Sequence, residues 1–253
     1  ARIGAGALRL MLDDPLAEKK QAMIPFIQMG IDMYHMQLGG LTYGPDGGHN
    51  HGRKLPVAFA GLVLGHEGMQ DWVREHANRI YHEDLSVYYS PTAKVVLWGQ
   101  GDQGVGAYYR RFCQKRGAKT ISDPYGYVDG GLQPGGSYQL CCNSMTWQGT
   151  ILCLHLWPEL REVWNYEPII EYMDRWMDFG AWAQPDPYAP IDCDNPGKLD
   201  EDPSDGIGRW PDRHGINAGQ GAWGNGFASA MWSAHRPGDA AGYPVIVPAG
   251  GDV

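Results

Sequence analysis

The sequence predicts a mainly α-helical fold, an incomplete double ring of helical hairpins (an α/α toroid) with a short β-hairpin and long loops. Two kinds of helical segment support this prediction. Segments 15–38 and 67–79 carry apolar side chains along one stripe, so that their opposite side faces water. Segments 55–64 and 144–157 are apolar on nearly every side, so neighbouring helices must surround them. The alternation of the two kinds is what an outer and an inner layer of helices require.

The first long helix is justified by its ends. Asp14 suits the N-cap, Pro15 suits the first helical position, and Gly39 and Gly40 end the segment. Pro25 lies in its interior and is expected to kink it. The remaining predicted elements are a β-hairpin within 84–99, helices over 103–115, 168–182 and 219–235, and a long Pro/Asp/Gly-rich loop over 184–215. We assign 1–236 to one helical domain and 237–253 to a tail or a truncated link to a further domain.

The composition limits the classes of partner. Of the 253 residues, 43% are hydrophobic and 19% are charged, which is typical of a globular chain. The net charge of −9 argues against a nucleic-acid partner, because phosphate neutralisation requires a basic face. No apolar run is long enough to span a bilayer. The ten tryptophans suit either a buried core or a cleft that stacks sugar rings, and composition leaves both open.

The five cysteines are an odd number, so at least one has no partner within the chain. Adjacent Cys141 and Cys142 cannot easily pair with each other, and one of them is expected to join Cys113 or Cys193 if the protein is exported. His155 lies among apolar residues and is expected to be a hydrogen-bonded core histidine.

The strongest candidate site is the loop 43–54, which is rich in glycine and directly precedes a buried helix. Its polar side chains are those of Asp46, His49, Asn50, His51, Arg53 and Lys54. Glycines let the backbone approach a ligand closely, and a helix N-terminus favours anionic groups. Two other interpretations stay open. The polar residues cap the helix and tie the loop, or the two histidines and Asp46 bind a metal.

A second candidate lies in the long loop near the C-terminus. Alternating carboxylates followed by glycine suit a structural Ca²⁺ ion, although a solvated acidic loop explains them equally well. The carboxylates are those of Asp192, Asp194, Asp200, Asp202 and Asp205. Just beyond them, Arg209 and Arg213 suit carboxylate recognition, Trp210 offers a stacking surface, and His214 is a second candidate catalytic histidine.

Four strings carry a family resemblance: GGHNHGRKLPVAFAGLVLG (47–65), CCNSMTWQGTILCLHLW (141–157), VWNYEPIIEYMDRWM (163–177) and DPSDGIGRWPDRHG (202–215). They resemble segments of large bacterial proteins of the α/α-toroid families, which include heparinase II/III-type and alginate-lyase-type polysaccharide lyases and six-hairpin glycosidases. The resemblance implies a secreted or periplasmic, carbohydrate-active enzyme that cleaves an acidic, uronate-containing polysaccharide by β-elimination. We expect no cofactor besides the structural calcium that the acidic loop suggests, and the oligomeric state stays open.

The resemblance also implies roles for individual residues. Asn50 or Arg53 would neutralise the substrate carboxylate, His51 or His49 would take the C5 proton, and a tyrosine, Tyr89 or Tyr138, would be the general acid. The side chains of Asp46, Lys54, Trp147, Arg209, Trp210 and Arg213 would contact the polysaccharide as well.

Two alternatives remain beside the lyase. A glycoside hydrolase on the same scaffold would use Asp46 and a second carboxylate. A non-catalytic glycan-binding helical domain of a larger exported protein would bind sugars without turnover.

Overall fold

The computed structural model describes residues 1–45, 48–91, 95–99, 142–179 and 226–235. Within these residues the predicted fold class is confirmed at the level of secondary structure, since 71% of them are helical and a small two-stranded sheet accompanies the helices. The helices are α1 Arg2–Met11, α2 Leu16–Leu38, α3 Lys54–Val63, α4 Glu67–Glu75, α5 His82–Leu85, α6 Met145–Leu156, α7 Pro158–Trp164, α8 Pro168–Phe179 and α9 Gly226–His235. The strands are β1 Val87–Ser90 and β2 Val95–Trp98.

Helices α3 and α6 form the centre of the described core, as their all-round apolar sequences predict. Every residue from 54 to 61 in α3 is buried, and so is every residue from 147 to 154 in α6. Helix α1 crosses α6 where Gly4 meets Gly149, and a Cβ atom at Gly149 would lie 2.8 Å from the carbonyl carbon of Gly4. The two backbones are therefore in direct contact, which only glycine permits at this crossing.

Helix α2 lies against α3 and is exposed on its other side. The contact centres on Gly30, where a Cβ atom would overlap the carbonyl oxygen of Pro56. The opposite side includes Leu16, which is 65% exposed, and Ile24, which is 57% exposed. Pro25 lies inside the helix, which runs without interruption from residue 16 to residue 38.

The predicted β-hairpin is confirmed. Strands β1 and β2 are antiparallel, with Val87 opposite Trp98 and Tyr89 opposite Val96. Two side chains attach the hairpin to the helices: Arg175 donates to the carbonyl of Val96 at 2.9 Å, and the Tyr166 hydroxyl donates to that of Val87 at 3.1 Å. The hairpin is thus part of the same packed unit as α8.

Five of the described tryptophans belong to the core. Of the two roles that composition left open for tryptophan, these five therefore fill the core and do not line a sugar-stacking cleft. Each is at most 4% exposed: Trp98, Trp147, Trp164, Trp176 and Trp232. The expected core role of His155 is also confirmed, because its Nε2 lies 2.7 Å from Asp174 Oδ1.

Some predicted elements cannot be compared with the structure. The predicted helix over 103–115, the loop over 184–215 and the tail over 237–253 lie outside the described residues. Cys142 is disulfide-bonded, whereas Cys153 is a buried free thiol. In the described part of the chain, no helix combines the length and apolar character that crossing a membrane requires.

Candidate active site

The loop 48–53 is attached at several points before it enters α3. Gly52 has φ +78°, a conformation that favours glycine, and its amide donates to Glu83 Oε1 at 2.5 Å. The Asn50 side-chain amide donates to the carbonyl of Gly44 at 2.9 Å. Asn50 therefore closes the loop on itself and does not cap α3, whose N-terminus has no side-chain cap hydrogen bond.

Lys54 is completely buried at the first position of α3. Its Nζ lies 2.5 Å from Asp84 Oδ2, and both side chains are fully buried. The ammonium also lies 4.3 Å from the centre of the Trp164 ring and 5.4 Å from that of Tyr81. The expectation that Lys54 contacts substrate therefore needs correction, because a polymer cannot reach this side chain in the structure. Lys54 is a core ion-pair partner instead.

Asp84 completes this ion pair from α5. Its Oδ2 also accepts the backbone amide of Asn78 at 3.0 Å. Burial raises the pKa of the Asp84 carboxyl, and the charge and hydrogen bond of Lys54 act in the opposite direction. Burial lowers the pKa of Lys54, while Asp84 opposes that shift. Each charge is thus stabilised chiefly by the other, because water is excluded from both.

Glu83 is a buried carboxyl group without a counter-ion of its own. It is 1% exposed, Oε1 accepts the Gly52 amide, and Oε2 has no hydrogen-bond partner among the described residues. Burial raises the pKa of Glu83 to about 7, although the backbone hydrogen bonds and Lys54 lower it. Near neutral pH this side chain is consequently divided between its acid and its carboxylate forms.

His51 joins the loop to the start of α6. Its Nδ1 lies 2.9 Å from Thr146 Oγ1, and its ring centre lies 4.8 Å from that of His82. The His82 Nε2 lies 3.1 Å from Asn143 Oδ1. Burial lowers the pKa of His51 to about 3, with further lowering by His82 and Arg53 and a raising contribution from a hydrogen bond with the Gly48 backbone. His51 is therefore a neutral imidazole at neutral pH.

His49 and Arg53 are the loop side chains that a solute can reach. His49 is exposed and Arg53 is half-buried, with its guanidinium carbon 6.0 Å from the centre of the Tyr43 ring. Among the described residues, neither has a hydrogen-bond or ion-pair partner. An accessible imidazole and an accessible guanidinium thus lie four residues apart on a loop that hydrogen bonds to α5 and to the start of α6 hold in place.

Trp147 is only 1% exposed, and its ring centre lies 6.0 Å from that of His51. Its predicted contact with substrate is therefore corrected to a packing role beneath the loop. Tyr89, a predicted general acid, is 57% exposed on β1, and its strand contacts α5.

The remaining predicted site residues lie outside the described residues. They are Asp46, Tyr138, Arg209, Trp210, Arg213, His214 and the acidic set Asp192, Asp194, Asp200, Asp202 and Asp205. Within the described ranges, no three His, Cys, Asp or Glu side chains are grouped so as to hold a metal ion.

Sequence reasoning missed the partners of the loop. His82, Glu83 and Asp84 are three consecutive ionisable residues, all at most 1% exposed, on the short helix α5. The run lies between apolar Tyr81 and Leu85, and this was the one signal that could have indicated burial. Asn143 and Thr146 carried no comparable signal, because polar residues at the start of a helix are ordinarily caps.

Comparisons with protein families, with curated proteins and with solved structures find no match to this chain.

Proposed function

We propose that this chain is the helical domain of an exported, carbohydrate-active enzyme that cleaves a uronate-containing polysaccharide by β-elimination. The observation that carries the proposal is the pair of accessible groups His49 and Arg53, which have no hydrogen-bond or ion-pair partner among the described residues and lie on a loop that buried contacts hold in place. The α/α-toroid arrangement and a calcium ion in the acidic loop belong to the same proposal.

Arg53 is the group that binds the substrate carboxylate. A guanidinium pairs with a carboxylate through parallel hydrogen bonds, and it neutralises the charge that otherwise holds the neighbouring C5 proton. No described residue forms an ion pair with Arg53, so substrate binding displaces no partner within the described residues. Arg53 also contributes to the lowered pKa of His51, so a bound carboxylate would raise that pKa by offsetting the guanidinium charge.

His49 is the preferred base, because its imidazole is exposed and unoccupied. In the elimination, the C5–H bond breaks and its proton passes to the imidazole, a C4–C5 double bond forms, and the C4–O bond breaks. A tyrosine, Tyr89 or Tyr138, gives its proton to the departing oxygen. The neutral His51 is the second choice of base, since its low pKa makes it a weaker proton acceptor.

The test is the ultraviolet absorbance of the new C4–C5 double bond when uronate polymers are supplied to the full chain. We expect His49→Gln and Arg53→Gln each to lower the rate by at least about 100-fold, because each removes a group that acts in the transition state. His35→Gln and Arg79→Gln are matched controls, since both residues are exposed outside the loop, and both should leave the rate unchanged. Unchanged rates in the loop variants would contradict the proposed roles.

A glycoside hydrolase on the same scaffold is the second candidate, with Asp46 as one of its two carboxylates. Glu83 cannot be the other, because it is only 1% exposed and a polymer cannot reach it. New reducing ends without ultraviolet absorbance would favour the hydrolase, whereas sugar binding without either product would favour a non-catalytic glycan-binding domain.

A further inference from the structure

The backbone of the loop 48–53 is joined to α5 by the hydrogen bond from the Gly52 amide to Glu83 Oε1. Its two residues are 31 positions apart in the chain, and Gly52 lies between His51 and Arg53. The position of the loop backbone therefore depends directly on the carboxyl group of Glu83.

The charges around Glu83 do not balance when every group is ionised. The cluster formed by the start of α3 and by α5 contains two buried acids, Glu83 and Asp84, and one buried lysine, Lys54. The Lys54 Nζ lies 2.5 Å from Asp84 Oδ2, so the ion-pair partner of this ammonium is Asp84. Glu83 has only backbone hydrogen bonds, including that of the Gly52 amide to Oε1, and Oε2 has no described partner. Among the described residues, an ionised Glu83 is thus a buried anion without a counter-ion, which is a costly state.

None of the described elements beside α5 supplies a counter-ion for Glu83. The amino group of Ala1 acts on Glu83, but burial lowers the pKa of that amine to about 6, so it is mostly uncharged at neutral pH. On α8, Asp174 bonds to His155 and Arg175 donates to Val96. Strand β1 contributes only tyrosines as titratable groups, and adjacent His82 bonds to Asn143.

We infer that Glu83 is a pH-dependent positioning residue, whose ionised carboxylate holds the Gly52 amide and with it the loop that carries His49 and Arg53. When the carboxyl gains a proton, its oxygen becomes a weaker acceptor, and the loop loses its charge-assisted bond to α5. The pKa of about 7 that burial gives Glu83 places this change within the physiological range. The consequence for activity rests on the proposed function, whereas the bond and its titration do not.

The direct test is to follow the Gly52 amide by NMR in the full chain from about pH 5 to about pH 9. We expect its proton signal to move downfield as pH rises, with a midpoint near 7, because the ionised carboxylate is the stronger acceptor. Glu83→Gln should abolish the titration, and Glu162→Gln, at an exposed position of α7, should preserve it.

A Gly52 signal that does not change over this range in the wild-type protein would overturn the inference without use of any variant. A titration that survives in a folded Glu83→Gln protein would overturn it as well. Hydrogen exchange of the 48–53 segment gives a second measure. After correction for the base-catalysed intrinsic rate, its protection should be lower below the midpoint than above it. If no uronate polymer is cleaved but the Gly52 signal titrates, then the proposed function fails and the positioning role of Glu83 stands.

Discussion

Replacing Lys54 with methionine is expected to lower the free energy of unfolding by about 3–5 kcal/mol near neutral pH, because it leaves Asp84 as an unpaired buried charge. Methionine has nearly the length of lysine, so packing against Trp164 is largely retained. Both partners of the pair are 0% exposed, so solvent does not screen the loss. Such a loss is a large share of a typical total stability of about 5–15 kcal/mol.

The size of the loss should depend on pH. In the variant, Asp84 keeps only the Asn78 amide as a described partner, and its folded pKa rises further above the value of the unfolded chain. The folded state then binds a proton that the unfolded state releases, so the variant loses stability as pH rises from about 4. The penalty should therefore be small near pH 4 and fully developed at pH 8.

Chemical denaturation at these two pH values, followed by circular dichroism, measures the effect. Lys20→Met is the matched control, because Lys20 is exposed on α2, and it should change stability by less than about 0.5 kcal/mol. The double variant Lys54→Met with Asp84→Asn should recover part of the loss, since no buried charge remains. A loss below about 1 kcal/mol for Lys54→Met at pH 8 would refute the claim that the pair is desolvated.

Two further predictions concern stability. The stability of Glu83→Gln relative to the wild-type protein should increase by about 3 kcal/mol between pH 4 and pH 8. The Glu83 carboxyl titrates near 4.5 when unfolded and near 7 when folded, a difference of about 2.5 pKa units at about 1.4 kcal/mol each. The stability of the wild-type protein therefore falls as pH rises through this window. Parallel denaturation curves for the two proteins would check it, and a constant difference would contradict the burial of an ionisable Glu83. Gly149→Ala should lower the free energy of unfolding by about 1–3 kcal/mol despite the higher helix propensity of alanine, because its methyl group would lie 2.8 Å from the Gly4 backbone. Thermal unfolding would measure this loss. Gly226→Ala is the control, because Gly226 is exposed at a helix end and a Cβ atom there meets no other atom.

The sequence predicted the helices and the hairpin well where periodicity and length agree. Segment 55–64 was expected to be surrounded by other helices, and α3 is buried over residues 54–61. The short helices α1, α5 and α7 were not predicted. Four to ten residues provide few turns of periodicity, so tertiary packing decides whether such segments are helical.

The candidate site was predicted only in part. The glycine-rich loop with His49, His51 and Arg53 was identified, because polar residues among glycines before an apolar helix are conspicuous. The burial of Lys54 could not be foreseen, since a lysine at a helix start is ordinarily solvated and its partner Asp84 is 30 residues away. Local pattern carries no information about such a pairing, which forms only when two distant segments meet.

The attachment of α5 to the loop also restricts how the loop can respond to a ligand. Glu83 bonds to Gly52, and the adjacent Asp84 bonds to Lys54, which is only two positions from Gly52. Because the two hydrogen bonds to α5 are only two residues apart, the loop cannot rotate about one of them while the other stays intact. Any rearrangement around a bound molecule must therefore come from the side chains of His49 and Arg53, or else carry α5 along with it.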